Sequence, residues 1–168
     1  MKKSIIIIAM SIIFISCKKE KSDSNKDIIY KTLNFTLNNS DTLLNITGQS
    51  LDEFKISASN DTDYAYYGFY LYSFSYDVNF HTISTTINDL KPLSSGVEIN
   101  SSLTTWNYRS DGYFNNNTGG LLGVITPGSG DKYIGLRIAM SDGDHYGWLL
   151  LNYTSDKKLI IKEAAYNK

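Results

Sequence analysis

YIGLRIAM, residues 133 to 140, alternates without a break: Ile134, Leu136, Ile138 and Met140 occupy every second place, with Gly135, Arg137 and Ala139 between them. Successive side chains of an extended chain point to opposite faces, so this period of two predicts a strand with one buried face. The next run, HYGWLLL (145 to 151), sets Tyr146, Trp148 and Leu150 against Gly147, Leu149 and Leu151. Both of its sides are apolar, as expected of a central strand or of one whose outer face is covered, and Tyr146 and Trp148 are expected in the core. The two runs are joined by SDGD, in which Asp142-Gly143 is a pair suited to the positive backbone angles of a type I′ hairpin. Asp142, Asp144 and His145 could supply three metal ligands. A tight turn seldom provides the geometry or the further ligand a zinc site needs, so the stretch reads as a turn.

The same period recurs along the chain. Candidate strands are Ile28 to Leu37, Glu53 to Ser59, Tyr66 to Tyr76, Thr82 to Thr86, Gly96 to Ile99, Thr104 to Arg109, Leu121 to Thr126, Tyr133 to Met140, His145 to Tyr153 and Leu159 to Tyr166. Gly, Asn, Asp and Ser bound these runs, and no helical window interrupts them. About ten strands without helices predict an all-β fold, an antiparallel β-sandwich or jelly roll.

The amino terminus is of another kind. In MKKSIIIIAMSIIFISCKKE, Lys2 and Lys3 precede an apolar run from Ile5 to Ile15, closed by Ser16 and Cys17. This is the pattern of a secretory signal peptide. A helix crossing a bilayer needs about 20 apolar residues, roughly twice this run, so a retained transmembrane segment is not expected. Residues 1–16 are thus expected to be a helical signal peptide preceding the fold. Residues 17–27 are a cysteine followed by KKEKSDSNKD, an uninterrupted polar tether reaching at most about 33 Å, and 28–168 form a single sandwich domain of about 140 residues. Formal charge moves from -1 to about -3 when Lys2 and Lys3 are removed, and no basic cluster lies beyond the tether. Nucleic acid is not an expected partner.

Phe14-Ile15-Ser16-Cys17 resembles the bacterial lipobox, and Cys17 is the only cysteine of the chain. The resemblance implies acylation of Cys17 and a membrane partner held through its acyl chains. Each buried methylene contributes about 0.8 kcal/mol, so several chains anchor effectively permanently. Lys18 stands where an aspartate would resemble an inner-membrane retention signal. That implies the outer membrane of a Gram-negative bacterium, and the charged run after it resembles surface-export signals, which favours the cell surface over the periplasmic face.

YIGLRI, HYGWLLL and LIIKEAAY together resemble a carboxy-terminal signature of uncharacterised bacterial secreted proteins, carried here by Tyr133, Gly135, Leu136, Arg137, His145, Tyr146, Gly147, Trp148, Ala165 and Tyr166. The resemblance implies a β-sandwich and no particular chemistry. NITGQSLDEF (45 to 54) resembles a calcium-loop segment of the same family, with Asn45, Thr47, Gln49, Ser50, Asp52 and Glu53 at the matching positions. Calcium prefers six to eight oxygens with several carboxylates, and only Asp52 and Glu53 are acidic. The loop therefore reads as degenerate and structural, with no metal assigned.

No catalytic residue or cofactor is assigned. There is no Gly-x-Ser-x-Gly elbow, His81 has no nearby acid in sequence, and the glycine-rich TPGSGDK (126 to 132) leads into a strand rather than the helix a phosphate cradle needs. The compositional excess is tyrosine, thirteen in all with six between Tyr64 and Tyr76, and it decides where a ligand is sought. Tyr64, Tyr66, Gly68, Tyr70, Tyr72, Phe74 and Tyr76 form one face of that run, while Ala65, Tyr67, Phe69, Leu71, Ser73 and Ser75 form the other. The tyrosine face is expected to be the core side. Turned outward, it would be a platform for sugar rings built from Tyr70, Tyr72 and Tyr76 with Trp106 and Tyr108. A noncatalytic binding module with a glycan as foremost candidate ligand is the expected function, the alternative being a structural or adhesive cell-surface protein without a small-molecule ligand.

Overall fold

In the computed structural model, the described residues are 28–48, 53–61, 66–74, 77–82, 89–115, 121–122 and 124–168. Residues 1–27, which hold the expected signal peptide, Cys17 and the expected tether, lie outside them. Twelve strands follow one another: β1 (Ile28–Leu37), β2 (Ser40–Leu44), β3 (Phe54–Asp61), β4 (Tyr66–Ser73), β5 (Val78–His81), β6 (Pro92–Leu93), β7 (Trp106–Asn107), β8 (Arg109–Asn115), β9 (Leu121–Leu122), β10 (Asp131–Met140), β11 (Gly143–Tyr153) and β12 (Leu159–Asn167). All pairings are antiparallel. The larger sheet has the order β1-β12-β11-β10-β5-β7 with β6 also on β10, and the smaller has β2-β3-β4-β8-β9. The fold is the all-β sandwich anticipated from the alternation.

Alternation explains which sides meet. Ile134, Leu136 and Ile138 of β10, Leu149, Leu151 and Tyr153 of β11, and Leu159, Ile161 and Ala164 of β12 face inward from the larger sheet. Phe54, Ile56 and Ala58 of β3 with Phe69 and Leu71 of β4 face them from the smaller. Two edge-to-face aromatic pairs span the gap, Phe54 with Phe80 at 5.4 Å and Phe69 with Tyr153 at 5.1 Å between ring centroids. Such pairs contribute about 0.5–1.5 kcal/mol each beyond burial.

Several expectations need correction. The tyrosine face of β4 is not the core side: Phe69, Leu71 and Ser73 are buried, whereas Tyr70 and Tyr72 are half-buried on the outside. The physical reason lies in the neighbour, since Tyr72 is paired with Lys55 and Tyr70 with Ser57, and a face shared with a lysine is the solvent face. Tyr146 and Trp148 likewise leave the core, half-buried on the outer face of the larger sheet, because Leu149, Leu151 and Tyr153 fill the inner one. Gly96 to Ile99 is a turn and connecting loop rather than a strand. Of the strand expected at Thr82 to Thr86, Thr82 forms a bridge to Leu90 and residues 83–86 lie outside the described residues, while β5, just before it, was not anticipated. Thr104 to Arg109 divides between β7 of one sheet and β8 of the other, and β2 was not anticipated.

Candidate ligand-binding faces

The outer face of the smaller sheet mixes rings and charges. Cross-strand register sets Leu43, Lys55, Tyr72 and Arg109 in one row and Asp41, Ser57 and Tyr70 in the next. Tyr72 meets Phe74 at 5.8 Å and Tyr108 at 6.1 Å, both edge-to-face, and the Arg109 guanidinium stands 5.9 Å over the Tyr70 ring. Asp41 accepts from Lys55 at 2.6 Å and from the Ser57 hydroxyl. The hydrogen bond from Lys55 lowers the pKa of Asp41, and the same bond raises that of Lys55. Phe74 is 47% and Tyr108 39% exposed, so rings, not only charges, meet solvent.

The outer face of the larger sheet is built differently. Trp106 of β7 pairs with His81 and lies over the position where Gly135 has no side chain, an added Cβ at Gly135 reaching within 3.6 Å of the indole. Around it gather His81 at 5.5 Å, Tyr146 at 6.0 Å and the Arg137 guanidinium at 5.9 Å. Burial lowers the pKa of His81, which favours its neutral form. Trp148 contacts Tyr133 at 5.4 Å and Tyr30 at 6.0 Å. A loop from Ser94 to Thr105 roofs part of this face, pinned by the Trp106 indole donating to the Leu103 carbonyl.

The anticipated platform is therefore split. Tyr70, Tyr72 and Tyr108 come together on the smaller sheet, Trp106 belongs to the larger one, and Tyr76 lies outside the described residues. The chain changes sheets between Trp106 and Tyr108: Thr105 O accepts from Thr82 N at 2.9 Å on one side and Tyr108 O from Ser73 N at 2.8 Å on the other.

At the calcium-like loop, Glu53 serves the backbone. Its two oxygens accept from Ile46 N and Thr47 N, each at 2.8 Å, and from the Thr47 hydroxyl, while Asn45 Oδ1 accepts from Gly48 N at 2.6 Å. Those bonds turn both residues inward to the loop's own amides. Gln49, Ser50 and Asp52 lie outside the described residues.

SDGDHYGW does form the hairpin turn, with a corrected geometry. Met140 pairs with Gly143, so Ser141 and Asp142 make the bend; neither has positive φ, which falls instead on Gly143 just after them, at 140°. A type I′ turn needs positive φ at both central residues, so this turn is not of that type. His145 ties the turn to the end of β12: its Nε2 lies 2.8 Å from Asp142 Oδ1 and its Nδ1 2.9 Å from Asn167 O. Both partners are acceptors, and only the imidazolium can donate to both. Bonding to Asp142, then to Asn167, accordingly raises the His145 pKa.

Sequence reasoning overlooked the groove beside this turn. Ile28, Val97, Glu98, Ile99, Tyr146 and Trp148 are among its walls, Gly147 and Ala165 lie at its floor, and its volume is about 350 Å³. The apolar pair Val97 and Ile99 is the available signal, and its spacing of two reads as a strand rather than as a groove wall. No family model, curated protein or solved structure matches the chain.

Proposed function

We propose that this chain is a lipid-anchored, noncatalytic binding protein of a bacterial outer membrane, facing the cell surface, whose ligand is a glycan. The observation that carries the reading is the outward row of Tyr70, Tyr72 and Tyr108 on the smaller sheet, interleaved with Lys55 and Arg109. Aromatic faces take the apolar side of a sugar ring, and the charged groups beside them bond its hydroxyls. The lipobox-like end at Cys17 and the polar tether support the location.

Thermal unfolding of the purified protein with soluble xylan, mannan, galactan and chondroitin sulfate tests it. A ligand at about 100 times its dissociation constant adds roughly 2.7 kcal/mol, a shift of several degrees. One polysaccharide is expected to give that shift, and Tyr72→Ala to abolish it while lowering the ligand-free midpoint by no more than a few degrees. No shift with any of them would instead support the structural or adhesive reading. Leu43, 50% exposed, and Phe74 favour that alternative, since exposed apolar groups among Tyr and Arg are the composition of protein interfaces.

A further inference from the structure

The groove on the larger sheet has features the open face lacks: walls, a floor and unused polar groups. Tyr146 and Trp148 stand two residues apart on the outer side of β11, about 6.7 Å along the strand, with Gly147 between them. The facing wall is the Val97 to Ile99 segment, held in place by paired turns, Val97 N donating to Ser94 O at 3.2 Å and Leu103 N to Asn100 O at 3.2 Å, with Ser102 N donating to Asn100 Oδ1 at 2.8 Å. Val97 remains 45% exposed although it faces a cleft, so the apolar lining is open to a ligand. A volume of about 350 Å³ falls at the small end of ligand pockets, which run from about 300 Å³.

The polar groups define the chemistry. Asn167 Oδ1 is occupied, accepting from Tyr146 N at 2.6 Å, and its main-chain oxygen accepts from His145. The Asn167 amide hydrogens are thereby left as donors at the rim. Glu98 lines the same groove with a carboxyl group that pairs with no cation among the described residues and can accept hydrogen bonds. An acceptor, a donor and two aromatic rings around a space of this size match a neutral ring with one apolar side and hydroxyls that both give and take hydrogen bonds. A cation would use Glu98 and leave the Asn167 donors facing it unfavourably.

We infer that this groove is a second, independent sugar site, holding one pyranose residue at the end or branch of a glycan. Glu98 accepts from a ring hydroxyl, Asn167 donates to another, and Tyr146 and Trp148 cover the apolar ring side. His145 acts as a positioning residue, fixing the strand end that carries Asn167. The site does not depend on the smaller sheet: it would stand if the tyrosine row bound nothing.

The test follows the two indole signals of the isotope-labelled protein while glucose, galactose, mannose, N-acetylglucosamine and, separately, methylammonium are titrated. At least one sugar is expected to move the Trp148 indole signal saturably in the millimolar range, leaving that of Trp106, bonded to Leu103, in place. Glu98→Gln, on an exposed loop and neutral to the fold, is expected to weaken this binding at least tenfold, and Tyr72→Ala to leave it unchanged. Silence of the Trp148 signal towards every sugar overturns the inference. So does a response that survives Glu98→Gln, or one given by methylammonium in place of sugars. Because Tyr72→Ala and Glu98→Gln affect different faces, failure here is distinguishable from failure of the platform.

Discussion

The two outer faces of the sandwich carry similar residues and use them in opposite ways. On the smaller sheet, Tyr70, Tyr72, Phe74 and Tyr108 lie partly exposed with Lys55 and Arg109 among them. On the larger, Trp106, Tyr146, Trp148, Tyr133 and Tyr30 interlock, and a loop closes over part of them. The difference comes from connectivity rather than composition. β5 and β6 share one edge of β10, so the chain between β6 and β7 must return over the sheet to pair with β5, and that return roofs the larger face. No comparable crossing covers the described part of the smaller face.

The sharpest way to break this comparison is within one strand. Phe69 is fully buried against Tyr153, while Tyr72, three residues on, is on the open side. Phe69→Ala is expected to cost about 3–5 kcal/mol in urea unfolding, by lost transfer and the cavity it leaves. Tyr72→Ala is expected to cost about 1–2 kcal/mol, for the two edge contacts it makes with Phe74 and Tyr108. Equal costs would mean that the tyrosine side is packed against something, and the two faces would no longer differ.

A smaller effect sharpens the larger sheet. A Cβ added to Gly147 would come within 2.8 Å of Tyr166 Cα and nearer still to the main-chain oxygen of Ala165. Backbone cannot rotate aside as a side chain can, so Gly147→Ala is expected to cost about 1–3 kcal/mol. It should also distort the floor of the groove. The chemical-denaturation midpoint reads the first effect and the Trp148 indole signal the second. Retention of both would mean that β11 and β12 can separate without loss.

Much of the fold was legible because the informative strands bury one side only. The alternating or apolar runs of β10, β11 and β12 place these strands to within two residues at each end, the extra end residues Asp131, Lys132, Gly143, Asp144 and Asn167 carrying no such signal. β2 was illegible: in SDTLL only Leu44 is buried, and Leu43 points out, so the strand has no periodic signal. The orientation of β4 was legible in its partner rather than in itself. Lys55 and Ser57 alternate with Phe54, Ile56 and Ala58, and the side of β4 opposite them had to be the wet one. Ring area was the misleading cue: the core does take a tyrosine, Tyr153, but the inner side of β4 is filled by Phe69, Leu71 and Ser73, and Tyr70 and Tyr72 fall on the other side by alternation. Trp106 and Tyr108 looked like one face because they are two apart. Only tertiary pairing reveals that the chain changes sheets between them.

The smallest expected effect concerns the two histidines, which belong to the larger sheet and oppose each other. His81, 2% exposed beneath Trp106, has its pKa lowered by burial from the ordinary 6.5. The unfolded chain therefore binds the proton more readily, and the stability tied to neutral His81 is lost as pH falls from about 6.5 through the folded value. His145 has its pKa raised from 6.5 by Asp142 and Asn167. Its contribution is complete below 6.5 and is lost as pH rises through its folded value. From the histidines alone, stability should peak near pH 6.5, with a decline on each side. The lowered pKa values of Asp41, Asp131, Asp142 and Asp156 add a separate loss below their ordinary 3.8. Urea midpoints between pH 5 and 8 measure the balance, and His145→Gln should flatten the alkaline side while sparing the acidic one. An alkaline decline that persists in His145→Gln would show that His145 does not hold its proton between Asp142 and Asn167, and the rim of the groove would then lack the clamp that sets Asn167.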